Sequence, residues 1–183
     1  MDYVKVNSKR VYIDRDNLYL ENFNINKISE IKRLKHYSNL RAIYIEKNKI
    51  TEIERLDHLI NLKKLHLEAN KINEIKGLDS LVNLVELELR ANEISRIIGL
   101  EKLINLKKLD LSSNKIMLIE GLEKLINLEH LDLSDNKIKD LPNSLKTLSS
   151  LRHLDISANP ISTDSKTSNI LGELRKKGIK VIS

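Results

Sequence analysis

The sequence predicts an α/β solenoid whose sheet consists of short parallel strands, and a repeated pattern supports this prediction. The pattern L-x-x-L-x-L-x-x-N-x-I occurs six times in the 183 residues, with Ile in place of one or both strand leucines in the first and last copies. Its copies begin at Leu40, Leu62, Leu84, Leu106, Leu128 and Leu151, at spacings of 22, 22, 22, 22 and 23 residues. Because a single copy cannot bury its own apolar side chains, successive copies must stack and bury them together.

Each copy has two halves with different periods. In the Leu-x-Leu half the period is two, so the leucines point inward and the side chains between them point outward. Equivalent strands of successive copies then pair as a parallel sheet with a spacing of about 4.8 Å. The Ile-x-x-Ile-x-x-Leu-x-x-Leu half has a period near three, which predicts short 3₁₀-like turns and loops on the opposite side.

The asparagine of the pattern is interpreted as structural. It falls where the chain leaves each strand and turns sharply inward, and a buried amide there can satisfy backbone groups that the turn leaves unpaired. The six positions are Asn48, Asn70, Asn92, Asn114, Asn136 and Asn159.

The repeat resembles the 22-residue subfamily of leucine-rich repeats, which includes protein phosphatase 1 regulatory subunit 7, an axonemal dynein light chain and the bacterial internalins. The resemblance covers residues 40–161. It implies a right-handed solenoid with the parallel sheet on the concave face and the 3₁₀ or loop segments on the convex face. It also implies that a protein partner binds the concave face, although the repeat consensus specifies the scaffold and not the partner.

One structural domain with two capped ends is expected. Residues 1–39 are interpreted as an N-terminal cap with a degenerate first repeat, 40–161 as six repeats, and 162–183 as a C-terminal cap of a helix and a short strand. In the first repeat we align Leu18 with Ile43. Thr163 or Asp164 could cap the C-terminal helix, and Gly178 could end it.

Three outward columns cross the predicted sheet, and functional residues are expected there. The central column is Tyr19, Tyr44, His66, Glu88, Asp110, Asp132 and Asp155. The following column is Glu21, Glu46, Glu68, Arg90, Ser112, Ser134 and Ser157. The preceding column is Asn17, Ala42, Lys64, Glu86, Lys108, His130 and His153. With eight carboxylates and three Lys or Arg side chains, this face is about five charges negative, whereas the whole chain is +6.

The N-terminal part of this face is the candidate partner-binding site. Its residues are Tyr19, Tyr44, His66, Glu21, Glu46, Glu68, Glu88 and Arg90. Exposed aromatic side chains beside carboxylates suit a hot spot for a protein partner with a basic or mixed surface. Ordinary packing between neighbouring strands accounts for the same residues equally well. For Asp110, Asp132 and Asp155 we favour solvated repeat positions over a binding role.

No metal and no cofactor are expected. His130, Asp132, His153 and Asp155 lie on two neighbouring predicted strands and together could hold zinc. Against this, the aspartates are common residues of such strands, and no supporting hydrogen-bond partners are evident. The chain has no Cys, so thiolate ligands and disulfides are excluded.

A further apolar column follows the last leucine of the return segment, at Ile60, Val82, Ile104 and Ile126. If it were exposed, it would form a second binding surface. We expect instead that the turn rotates these side chains inward.

The predicted function is a non-enzymatic scaffold for protein–protein interaction on the concave face, with regulation of the partner as one option. No Gly-rich phosphate loop, Gly-x-Ser-x-Gly or His-Glu-x-x-His motif occurs. The alternative is an adaptor for nucleic acid or ribonucleoprotein that uses basic ends. Residues 1–37 and 160–183 each carry a net charge of +3, whereas 38–159 sum to zero. Because the sheet face is acidic, nucleic acid is disfavoured.

A cytoplasmic monomer is expected. No stretch approaches the roughly 18 apolar residues that span a membrane. Residues 1–5 lack the basic-then-apolar layout of a secretory signal, and no Asn-x-Ser/Thr sequon occurs.

Overall fold

A computed structural model describes residues 2–183, and the elements found there are ten strands, three 3₁₀ helices and one α-helix. The strands are β1 Tyr3–Val6, β2 Lys9–Tyr12, β3 Asn17–Tyr19, β4 Ala42–Tyr44, β5 Lys64–His66, β6 Glu86–Glu88, β7 Lys108–Asp110, β8 His130–Asp132, β9 His153–Asp155 and β10 Lys180–Ile182. The 3₁₀ helices are Ile28–Glu30, Leu34–His36 and Asn143–Thr147, and helix α1 is Ser165–Lys176.

Strands β3 to β10 form one parallel sheet in chain order, so each strand pairs with the strand of the next coil. The predicted solenoid is therefore confirmed. The register aligns Leu18 with Ile43 and Tyr19 with Tyr44, as expected for the degenerate first repeat. The inward strand leucines are buried in a core that continues from coil to coil, as at Leu65 and Leu87.

The return segments consist of successive tight turns. The backbone N–H of Leu59 donates to the carbonyl of Leu56, and that of Leu62 donates to the carbonyl of Leu59, both at 2.9 Å. These i to i+3 hydrogen bonds bring every third side chain to the same side, which buries all three leucines. Regular 3₁₀ helices lie in the first and last returns, whereas the returns between them are turns.

The apolar column after these leucines does not face inward, and this expectation was wrong. Ile60, Val82, Ile104 and Ile126 are between 42% and 53% exposed. Because only every third residue of the return points into the core, the residue one step beyond the buried Leu59 points away from it.

The asparagines join neighbouring coils at the end of each strand. The Oδ1 atom of Asn92 accepts a hydrogen bond from the backbone N–H of Ile72 at 2.9 Å. Its Nδ2 lies 3.0 Å from the carbonyl oxygens of both Leu67 and Leu89. Asn92 is buried, as are the four equivalents at positions 48, 70, 114 and 136, whereas Asn159 in the last coil is partly exposed.

An antiparallel hairpin closes the N-terminal end of the solenoid. Strands β1 and β2 pair with Val4 opposite Val11, and the φ angles of +49° at Asn7 and +64° at Ser8 make the two-residue turn between them. The buried side chains of Val4 and Val6 cover the first coil. Strand β1 was not expected from the sequence.

At the C-terminal end, α1 covers the last coil and β10 extends the sheet beside β9. The carboxylate of Asp164 caps the helix by accepting a hydrogen bond from the backbone N–H of Thr167 at 2.7 Å. Gly178 follows the helix with a φ of +81°, which glycine adopts readily. Over residues 2–183 no helix has the length and apolar character needed to cross a bilayer.

Candidate functional site

An aromatic row lies on the open face of the sheet at its N-terminal end and consists of Tyr19, Tyr44 and His66. The rings of Tyr19 and Tyr44 stack with centroids 4.8 Å apart and an interplanar angle of 4°. The ring of His66 meets Tyr44 edge-on at 4.7 Å. The row follows from the parallel register, which places the three residues opposite one another. Tyr19 is 49% exposed, so the end of the row is accessible.

Carboxylates surround the imidazole of His66. Its Nδ1 lies 3.6 Å from Oε1 of Glu46 and 3.7 Å from Oε1 of Glu68, and its Nε2 lies 3.2 Å from Oε1 of Glu86. Burial lowers the pKa of His66, but Glu46, Glu68, Glu86 and Glu88 together outweigh it and raise the pKa above its ordinary value.

Two lysines of the preceding column compensate part of this negative charge. The Nζ of Lys64 lies 2.8 Å from Glu86, and the Nζ of Lys108 lies 3.6 Å from Glu86 and 2.6 Å from Glu88. Burial acts to raise the pKa of Glu86, but Lys64 and Lys108 hold it below its ordinary value. These lysines are not among the candidate residues predicted from the sequence, although Lys64, Glu86 and Lys108 alternate in charge along one column at 22-residue spacing.

Glu88 is buried, although it is one of the candidate contacts predicted from the sequence. Only 4% of the residue is exposed. Burial raises the pKa of its carboxyl group, while the neighbouring ammonium of Lys108 opposes that shift. Glu88 is therefore not accessible itself, and it influences the surface of the sheet only through its ion pair with Lys108.

Glu46 and Glu68 have no such cation. Within residues 2–183, no Lys or Arg nitrogen lies within 4.0 Å of either carboxylate. The Oε2 atom of each is buried and accepts no hydrogen bond. Burial raises the pKa of Glu68 to about 7, and the charges of Glu46 and Glu88 contribute to the shift, whereas a backbone hydrogen bond and His66 oppose it. Glu46 and Glu68 therefore form an acidic centre, and His66 is the one basic side chain within 4.0 Å of it in the described residues.

The remaining candidates line an open depression of about 500 Å³ along the following column. Its walls include Glu21, Glu46, Glu68 and Arg90. Glu21 forms an exposed ion pair with Lys47 at 2.7 Å. Arg90 is exposed, and in the described part of the chain no carboxylate lies within ion-pair distance of it. The structure thus brings the candidate residues to one surface, with Glu88 beneath it.

The aspartates in the C-terminal half of the sheet accept hydrogen bonds from residues that directly follow their own strands. Oδ1 of Asp110 accepts hydrogen bonds from the backbone N–H of Ser112 at 2.8 Å and from its hydroxyl at 2.6 Å. Asp132 with Ser134 and Asp155 with Ser157 repeat this contact. These aspartates are partly buried, so they are structural residues and not merely solvated ones.

The histidine pair considered for zinc lacks a complete set of ligands. The rings of His130 and His153 lie 5.9 Å apart. Oδ1 of each neighbouring aspartate, Asp132 and Asp155, is bonded to a serine. In the described chain, the groups of three potential ligands that lie close enough to share an ion all contain His66.

Replacing Glu68 with glutamine is expected to stabilise the metal-free protein at pH 8 by about 1 to 2 kcal/mol. The folded-state pKa of Glu68 is raised to about 7, above its ordinary value of 4.5. Its ionisation therefore costs folding stability as the pH rises from about 4.5 to 7, and glutamine removes this cost. Urea unfolding in the presence of a chelator at pH 8 and at pH 5 measures the difference.

The gain should disappear near pH 5, where the folded protein already holds Glu68 protonated. Glu123→Gln is the matched control, because Glu123 is exposed and the same change should stay within about 0.5 kcal/mol at both pH values. A Glu68→Gln gain that is the same at both pH values would show that Glu68 ionises normally.

Comparisons with known proteins agree with the fold. Residues 104–161 match the leucine-rich-repeat family model. An internalin of Listeria monocytogenes, InlF, is 26% identical with a TM-score of 0.74, over 94% of this chain and 51% of that chain. A leucine-rich-repeat protein of Leptospira interrogans is 27% identical with a TM-score of 0.74, over 88% of this chain and 40% of that one. No curated protein matches the sequence.

Internalin C2 of Listeria monocytogenes is also similar, at 26% identity and a TM-score of 0.62, over 89% of this chain and 82% of that chain. The chain spans about half the length of InlF. Leucine-rich-repeat proteins are in general scaffolds for protein interaction. Residues 104–161 thus match the leucine-rich-repeat family model, and the stacked parallel strands from β3 to β10 form a solenoid similar to those of leucine-rich-repeat proteins.

Proposed function

We propose that the chain is a non-enzymatic scaffold that binds a protein partner on the open face of its sheet. The observation that carries the proposal is the aromatic row, in which an exposed Tyr19 stacks on Tyr44 beside carboxylates without a cation. Preorganised aromatic side chains lose little conformational entropy on binding, and such residues dominate the binding energy of many interfaces.

The partner surface that fits this face is basic or mixed. The contact residues that we propose are Tyr19, Tyr44, His66, Glu21, Glu46, Glu68 and Arg90, with Glu88 acting through Lys108. A basic side chain of the partner would compensate the acidic centre, and an acidic one would meet Arg90. Complementary charge of this kind favours the correct partner and accelerates association. The resemblance to the phosphatase regulatory subunit, the cytoplasmic location and the monomeric state stay predictions.

The nucleic-acid alternative has less support. The two basic segments lie at opposite edges of an eight-stranded sheet, and the strand spacing separates its outer strands by about 34 Å. In the N-terminal segment, the guanidinium groups of Arg10 and Arg33 lie 4.8 and 4.1 Å from the ring centroid of Tyr3, so they pack within the hairpin end. The acidic face between the two ends repels phosphate.

The test compares proteins captured from native lysate by the wild type and by the Tyr19→Ala, Tyr44→Ala double variant. Any partner enriched by the wild type is then purified and its affinity is measured directly. The double variant is expected to bind at least about tenfold more weakly, because it removes the aromatic row.

Tyr12→Ala is the matched control. Tyr12 is 47% exposed, close to the value for Tyr19, but it lies in the N-terminal hairpin and not on the parallel sheet. Its replacement should leave the affinity within about twofold. A purified partner that binds the double variant as tightly as the wild type would exclude the aromatic row as the contact surface.

A further inference from the structure

We propose that Glu46, His66 and Glu68 form a binding site for one divalent transition-metal ion of the zinc type. His66 ends β5, and the two glutamates follow the ends of β4 and β5, so the solenoid places the three side chains on adjacent coils. The site lies within the acidic centre, but the proposal does not depend on partner binding there.

The potential ligand atoms face one another. Nδ1 of His66 lies 3.6 Å from Oε1 of Glu46 and 3.7 Å from Oε1 of Glu68, and the ligand atoms of the three residues lie within 4.8 Å of one another. Zinc bonds to nitrogen and oxygen are about 2.0 to 2.2 Å long, so a tetrahedral ion holds its ligand atoms about 3.3 Å apart. Small side-chain rotations would therefore close this set around an ion.

The orientation of the imidazole is the second observation that points to a cation. Nε2 of His66 lies at hydrogen-bonding distance from Oε1 of Glu86, which identifies Nε2 as the donor. Glu86 is itself held by Lys64 at 2.8 Å. Nδ1 then faces two carboxylates, an arrangement that favours a positive charge between them, either a proton on Nδ1 or a metal ion bound to its lone pair. A histidine oriented by a carboxylate on its far nitrogen is the usual arrangement at metal sites.

The buried carboxylate oxygens are consistent with a small ion. Oε2 of Glu46 and Oε2 of Glu68 are shielded from solvent and have no hydrogen-bond donor. Buried polar atoms are nearly always paired, so these two unpaired oxygens favour the binding of a cation at this position. Rotation of the two carboxylates would bring these oxygens to an ion bound beside His66.

The choice of ion and of ligand set follows from the same chemistry. The other potential set around His66 uses Glu86 and Glu88, but Lys64 and Lys108 already neutralise those carboxylates and would repel a metal. Calcium and magnesium take oxygen ligands, whereas imidazole with carboxylates suits zinc and its transition-metal neighbours. Three protein ligands leave a fourth position for water.

The test is calorimetric titration of Zn²⁺ into the full chain, with any affinity tag removed and the protein treated with a chelator and dialysed. The wild type is expected to bind one equivalent with a Kd of about 1 µM or tighter. Glu68→Gln and His66→Gln should each weaken binding at least about tenfold. Zinc should raise the thermal midpoint of the wild type and not that of Glu68→Gln, which is itself expected to be stably folded.

His130→Gln is the matched control, because His130 is a histidine of the same sheet face outside the proposed ligand set. Its zinc affinity should equal that of the wild type. Binding weaker than about 100 µM in the wild type would overturn the proposal. So would tight binding that survives both ligand substitutions or that is lost in His130→Gln. Since the titration contains no partner protein, its failure would leave the proposed scaffold function intact.

Discussion

Replacing Asn114 with alanine is expected to destabilise the protein by about 2 to 3 kcal/mol, because its buried amide joins two neighbouring coils through several hydrogen bonds. Its Oδ1 is the acceptor for the backbone N–H of Ile94 at 3.0 Å, and its Nδ2 lies 3.0 Å from the carbonyl oxygens of Leu89 and Leu111. In the variant, the carbonyl oxygen of Leu89 would still accept a hydrogen bond from Asn92, and that of Leu111 would still accept one from Asn136. The N–H of Ile94 would lose its only acceptor, and an unpaired buried donor is the larger cost.

Urea unfolding of Asn105→Ala provides the matched control for this prediction. Asn105 belongs to the same repeat, is exposed, and donates a single hydrogen bond to the carbonyl of Val82. Its replacement should cost less than about 1 kcal/mol, since water can replace the lost donor. Equal losses of stability in the two variants would show that the buried asparagine does not hold the coils together.

Replacing Gly99 with alanine is expected to cost about 3 kcal/mol, from a strained backbone conformation and a contact with the preceding coil. The φ angle of Gly99 is +80°, and a Cβ atom at this position would lie 2.4 Å from the carbonyl oxygen of Ile75. That oxygen belongs to the backbone, so relief requires the two coils to separate. Gly77 and Gly121 make the same approach to their preceding coils, at 2.5 Å each.

Gly172→Ala is the control, and this substitution is expected to raise the stability of the protein instead of lowering it. Gly172 lies inside helix α1, and nothing lies within 4 Å of where its Cβ would be. Alanine there should stabilise the protein by about 0.5 to 1 kcal/mol, because it reduces the entropy that the helix loses on folding. Thermal and urea unfolding of both variants measure the two effects, and a Gly99→Ala protein as stable as the wild type would contradict the close approach of the coils.

The two halves of the sheet face differ in how they use their charges. In the C-terminal half, Asp110 and its equivalents bond to the serine two residues later, so their carboxylates serve the turn that follows each strand. In the N-terminal half, Glu46 and Glu68 face His66, their Oε2 atoms accept no hydrogen bond, and no Lys or Arg of the described residues lies within 4.0 Å of them. The second arrangement leaves buried carboxylate oxygens that a bound cation or a partner's basic group could pair.

The sequence by itself determined the repeating coil, the register of the parallel strands and the outward columns of side chains on the sheet. A 22-residue period with leucines two apart allows one stacking of the strands, and the register that aligned Leu18 with Ile43 followed from matching Tyr19 with Tyr44. The inward asparagines and the helix between Asp164 and Gly178 could also be predicted from the sequence, because local turn and capping chemistry depends on residues close in the chain. Periodicity identifies which side chains are neighbours.

Only the tertiary structure decided how those neighbours meet. Ile60 and its equivalents face outward because hydrogen bonds between residues three apart leave only every third side chain inside, a geometry that the apolar pattern did not reveal. Glu88 is buried under Lys108 of the next coil, a diagonal contact that a list of columns does not show. The acidic centre at His66 depends on distances of a few ångströms among side chains of three coils, and rotamers and burial set such distances, whereas sequence spacing does not.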